Sequence, residues 1–202
     1  MHHQSPMDRR SLIQRALLIV AGSAIPVDAA ARQAGAAMRS GEFKLLSAVA
    51  DTIVPRTDTP GAVDVGVPKL FDGLLRDWAA PPRRAALAAA LEAVDAAARE
   101  KTGKGFAALP PGARHDVLKA HDAAALAPVP RTDGKTGLAA VTGDPSVADP
   151  GYAKLKELVV ILYYYSEPAL TQELSYDHAP GKWQPSIPVT PDTRPAGGPG
   201  LI

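Results

Sequence analysis

Residues 83–101, RRAALAAALEAVDAAAREK, can be built into very little besides an α-helix. Alanine leads the helix-propensity ranking because it gives up no side-chain freedom there, and neither glycine nor proline interrupts the stretch. Leu87, Leu91, Val94 and Ala98 return at the 3.6-residue period, so one stripe is apolar and the charged residues keep to the other side. Gly103 stands where such a helix is expected to end. A helix of this kind cannot bury its own stripe, so the rest of the chain must supply complementary faces.

The neighbouring segments supply them in the same period. From Glu42, the residues Phe43, Leu46, Ala50 and Ile53, with Leu45 and Val49, predict a helix that Pro55 stops. The turn signals Asp58-Thr59-Pro60-Gly61 and Asp64-Val65-Gly66 make the next stretch a loop, and Pro68 suits the first turn of a second helix. That helix carries Leu70, Phe71, Leu74, Leu75 and Trp78 as its stripe and ends at Pro81-Pro82. A shorter helix over Pro111 to Asp122 turns Val117 and Leu118 inward, with Arg114, Asp116, Lys119 and Asp122 as a solvated face. Residues 127–151 read as a long loop. A last helix over Tyr152 to Tyr165 has Leu155, Leu158, Val159, Leu162 and Tyr165 as its inner face. Ile161, Tyr163 and Tyr164 make its end apolar or aromatic all round, so that end must be covered from more than one side. From Pro168 onward the pattern is irregular, and strand signal is scarce throughout. The expected fold is therefore mainly α: a single irregular helical domain over 42–167, with long loops and an extended C-terminal tail over 168–202.

Chemistry is sparse along this frame. Zero cysteines exclude disulfides, iron–sulfur ligation and covalent haem attachment through C-x-x-C-H. His115 and His121 stand six apart, whereas a helical zinc pair needs three or four, so both read as ordinary surface or half-buried histidines. His178 is alone in the tail. The letters GKGFAA at 103–108 match a dinucleotide fingerprint, but a charged helix precedes them where the motif needs a strand; they read as a helix cap and turn. Nucleophile-elbow and phosphate-loop patterns are absent. No catalytic, cofactor-binding or metal residues are expected in this chain. Lys+Arg is 22 and Asp+Glu 21; without residues 1–31 there are nineteen of each, a balance that gives no electrostatic reason to bind nucleic acid.

Residues 1–31 have the order of a signal peptide: Arg9 and Arg10, an apolar stretch over 16–25, then Ala29-Ala30-Ala31. Gly22 and Ser23 dilute the apolar part, and the arginine pair before Ser11-Leu12-Ile13 fits a twin-arginine leader, whose translocase moves folded proteins. The alternative is an N-terminal helix that happens to contain Arg-Arg. In the closing stretch, Tyr176 and Trp183 are large aromatics on irregular chain; either the tail packs back on its own domain or it straps across a partner, and both can hold together.

The leader, ADTIVPRTDTPGAVDVGVPKLFD (50–72) and YYYSEPALTQELSYDHAPGKW (163–183), in that order, resemble the gluconate 2-dehydrogenase subunit 3 family, over about Phe43 to Pro188. The resemblance implies a noncatalytic small subunit of a periplasmic complex, membrane-associated through that complex. The FAD belongs to a catalytic dehydrogenase subunit that oxidises a sugar or sugar acid, and haem c to a multihaem cytochrome subunit. It also implies a role in folding, assembly and twin-arginine export of the flavoprotein through the translocase. The partner interface is then expected at Tyr163, Tyr164, Tyr165, Ser166, Glu167, Tyr176 and Trp183. The competing reading is a self-sufficient periplasmic binding or structural protein that uses the same leader.

Overall fold

A computed structural model of the chain describes residues 37–137, 146–176, 181–182, 186 and 188–197. The leader expected over 1–31, with Arg9 and Arg10, lies outside them, as do His178, Trp183 and the side chain of Tyr176.

Helix α1 (Ser40–Ile53) begins where the Glu42 carboxylate turns back to accept the Arg39 backbone N–H at 2.9 Å. The preceding residue is fixed as well, because the Met38 N–H donates to Asp72 at 2.8 Å. Leu46, Val49 and Ala50 are buried, as the period predicts. After Pro55 the chain doubles back tightly: the Ala62 N–H reaches the Val54 carbonyl at 2.9 Å, and Asp64 holds the loop by accepting from the Gly61 N–H and the Arg56 guanidinium. A Cβ at position 61 would lie 2.6 Å from the Arg56 nitrogen and 2.9 Å from the Pro55 carbonyl carbon, both backbone atoms, so only glycine passes here.

Helix α2 (Val67–Asp77) follows, and Arg84 caps its C-terminal end by donating to the Ala79 carbonyl at 2.6 Å. Phe71 is fully buried and Leu75 nearly so, but Leu70 is half exposed and Trp78 is 84% exposed. The apolar stripe of α2 is wider than the face its neighbours cover, which corrects the expectation that Leu70 and Trp78 point inward.

Helix α3 (Pro81–Thr102) buries Leu87, Leu91, Val94 and Ala98 and ends at Gly103, where φ is +73°. Asp95, on its flank, accepts the Phe106 N–H at 2.7 Å and so positions that ring in the core, within the short 3₁₀ turn Phe106–Ala108. Helix α4 (Pro111–Ala125) and helix α5 (Pro150–Tyr164) complete the bundle; an antiparallel bridge between Pro128 and Val147 joins the two ends of their connection. Gly151 lets α5 approach the Ala86 carbonyl of α3, where an added Cβ would stand 3.1 Å away. The small side chains of the alanine-rich helix thus become a packing surface as well as a propensity.

Arg114 and Asp122 are the second correction. Neither is simply solvated: Arg114 donates to the Leu109 carbonyl at 2.8 Å and pairs with Asp51 across the bundle, while Asp122 receives the Tyr152 hydroxyl and the Lys156 ammonium. After α5 the chain makes a π-helical turn, Ala169–Glu173, and then strand β1 (Ser175–Tyr176), which pairs in parallel with strand β2 (Ala196–Gly197). Ala169 is fully buried, so the start of the tail belongs to the packing of the bundle. No helix among the described residues is long and apolar enough to cross a membrane.

Candidate functional site

The two sequence stretches singled out above meet in space. Tyr163, in the last turn of α5, is 1% exposed and donates its hydroxyl to the Pro60 carbonyl at 2.8 Å. The same phenol is hydrogen-bonded to the Glu173 carboxylate. Tyr164 donates to the other carboxylate oxygen, Oε1, at 3.2 Å, and its ring stands edge-on to that of Tyr163 at 5.2 Å. Burial, and then the neighbouring Glu173 carboxylate, push the Tyr163 phenol up to about 12 and raise Tyr164 as well. Both phenols therefore stay protonated and serve as donors or acceptors, not as bases.

The inner face of α5 is accordingly rotated from the sequence expectation. Tyr163 points inward and Tyr165, expected inside, is 55% exposed. A helix position is decided here by distant partners, Pro60 and Glu173, that local periodicity does not see. Of the residues proposed for partner binding, Tyr163 and Ser166 lie in the chain's own interior, the Ser166 Oγ accepting from the Ala169 N–H at 3.4 Å. Tyr164, Tyr165 and Glu167 are exposed beside them. The backbone of Tyr176 lies in β1. Sequence reasoning missed Glu173 and Pro60; both fall inside the two quoted stretches, which was the available signal.

A second polar group lies between α4 and α5. The Tyr152 hydroxyl donates to Asp122 at 2.9 Å, Lys156 reaches the same carboxylate at 2.6 Å, and the His121 ring packs edge-on to Tyr152 at 4.6 Å. The Tyr152 phenol is raised by burial and then by Asp122. The His121 Nε2 is buried with no hydrogen-bond partner among the described residues, and burial lowers the imidazole's proton affinity despite Asp149 and Asp122 nearby. Folded His121 therefore binds fewer protons than in the unfolded chain, whose value is about 6.5. Its stabilising contribution is complete above that pH and is lost as pH falls below it. The urea midpoint is expected to drop between pH 7 and pH 5, and His121→Phe, which keeps the ring contact but cannot titrate, should flatten that slope. An equal slope in the variant would assign the effect elsewhere.

Among the described residues no group of three or more histidines and carboxylates is arranged to hold a metal ion. A shallow depression lined by Phe43, Lys44, Ser47, Asp51, Val63 and Arg114 opens on the surface, with Asp51 and Arg114 paired to each other at 3.3 Å.

The family comparison falls on these elements. The model of the family described as gluconate 2-dehydrogenase subunit 3 matches residues 40–181, from the first turn of α1 through the Tyr163–Glu173 junction. The chain belongs to the gluconate 2-dehydrogenase subunit 3 family. Comparison with curated proteins and with solved structures returns no match. The matched range takes in both segments that the Tyr163 hydroxyl ties together. The helical architecture agrees with the mainly α fold read from the sequence.

Proposed function

We propose that this chain is the noncatalytic small subunit of a FAD-dependent, gluconate-type sugar or sugar-acid dehydrogenase complex. It binds the catalytic flavoprotein, aids its folding and assembly, and carries it out already folded through the twin-arginine translocase that reads Arg9 and Arg10. The mature complex, with a multihaem cytochrome c subunit, is periplasmic and associates with the membrane through the other subunits. Family membership supports the complex. The observation that carries the interface is the end of α5: its buried junction fixes the backbone while Tyr165 and Glu167 remain outside, a rigid edge with an aromatic anchor.

The test is co-purification of this chain with a FAD-dependent, gluconate-type dehydrogenase from the same cells. Tyr165→Ala leaves the Tyr163–Glu173 contacts untouched and should weaken association by about 2 kcal/mol, roughly thirtyfold. Helical circular dichroism should not change. Unchanged affinity would remove the α5 edge from the interface, and absence of any association would favour a self-sufficient periplasmic protein.

A further inference from the structure

The depression bounded by α1, the Pro60 loop, the 3₁₀ turn and α4 carries side chains that the packing of the bundle does not use. It has a volume of about 470 Å³ and is open to solvent. Lys44, Ser47, Ala48 and Asp51 stand at i, i+3, i+4 and i+7 of α1, so one face of that helix forms one side of it. Lys44 and Asp51 are two turns apart, about 10 Å along the axis. Between them the surface is low, because Ser47 and Ala48 are small. Phe43 and Val63 line the same depression, yet Phe43 is only half-buried, outside the packed core, and Val63 is 44% exposed.

The charges in it do not cancel. Arg114 pairs with Asp51 at 3.3 Å and donates from Nε to the Leu109 carbonyl, so among the described residues two acceptors serve a guanidinium with five N–H bonds. Lys44 has no carboxylate partner among the described residues. Two cations against one carboxylate leave a positive excess, and it sits at the Lys44 end. A pocket for a small molecule buries most of its ligand. This surface is too shallow for that, but it suits a chain that keeps one side in water.

We propose that the depression is a docking socket for a segment of another polypeptide that carries an acidic residue and, two positions along, an aliphatic one. That spacing puts both side chains on one side of an extended chain. The carboxylate meets the Lys44 ammonium, the aliphatic side chain seats over Ala48 between Phe43 and Val63, and a backbone carbonyl of the segment accepts from the unused N–H groups of Arg114. None of these residues belongs to the α5 edge, so the socket does not depend on the subunit role proposed above.

The experiment is a proton–nitrogen correlation NMR titration of the full chain with the peptide acetyl-Ala-Glu-Ala-Leu-Ala-amide. Shifts are expected at the amides of Lys44, Ser47, Ala48, Val63 and Ala107, saturating in the millimolar range that suits so small a contact. The peptide with glutamine in place of glutamate should bind about threefold more weakly, the scale of a solvent-exposed ion pair. With Lys44→Met, which keeps the apolar stem, the two peptides should bind alike. Ala107 is exposed, so Ala107→Phe leaves the core alone while filling the depression, and it should abolish the shifts. Equal binding of both peptides to the wild type, shifts confined to other elements, or undiminished binding to Ala107→Phe would overturn the proposal. So would the same shifts appearing with protein concentration alone, which would give the depression to a second copy of this chain.

Discussion

Replacing Phe71 with alanine is expected to cost about 3–5 kcal/mol, a large share of the roughly 5–15 kcal/mol that holds a domain of this size together. The ring is fully buried on α2, and that helix has little freedom to shift into the space left behind. Asp72 ties it to the entry of α1 through the Met38 N–H, and Arg84 ties its C-terminal carbonyl end to α3. Because neither end can move independently, the cavity stays open and the full cost is felt. Trp78→Ala is the control. It removes a larger side chain from the same helix, but one that is mostly in water, so the change should stay within about 0.5 kcal/mol. Urea denaturation of both variants measures the contrast; equal losses would mean that Trp78 is packed after all.

On the proposed export role, changing Arg9 and Arg10 together to lysine should strand both this chain and its flavoprotein partner in the cytoplasm. The substitution keeps charge and the apolar stretch, so a route reading only those features tolerates it. A guanidinium presents a planar fork of donors where an ammonium presents a compact point charge, and a receptor built for the pair distinguishes them. The stranded flavoprotein should still hold FAD and still oxidise its substrate in a lysate with an artificial electron acceptor, because loading precedes export. Fractionation followed by activity assay of each compartment reads the result. Normal export of the flavoprotein while this chain is retained would sink the escort role, and export of both would show that the leader is not of the twin-arginine type.

The parts of the fold legible in the sequence are those governed by local rules. Leu87, Leu91, Val94 and Ala98 are buried as a set because α3 is a long helix with a single apolar stripe, and no other reading competes. Pro55 and Gly103 end helices for reasons contained in one residue. What was not legible depends on neighbours distant in the chain. The stripe on α2 is broad enough for several rotations, and only the placement of the other helices leaves Leu70 and Trp78 outside. Tyr163 and Tyr165 are equally aromatic and two positions apart; the inward one is chosen by Pro60 and Glu173. Arg114 and Asp122 look like surface charges until Asp51 and Lys156 arrive from other helices. In the candidate site, the tyrosine cluster was visible as a concentration of unusual residues. Its anchor Glu173 was not, because a polar residue in an irregular segment carries no periodic signal.

The bond from Tyr163 to Pro60 joins residues 103 positions apart. Helices α2 and α3 pack most extensively on α5, so these interfaces, like the Tyr163–Pro60 bond, span a long stretch of chain and form only after the loop entropy is overcome. During synthesis from the N-terminus, α1, the Pro60 loop and α2 emerge with no phenol to bind and no Glu173 to reach for. The junction is thus a record of completion: it can form only on a chain made at least through residue 173. On the proposed subunit role, a partner that binds the α5 edge would meet that surface only on chains made at least through residue 173.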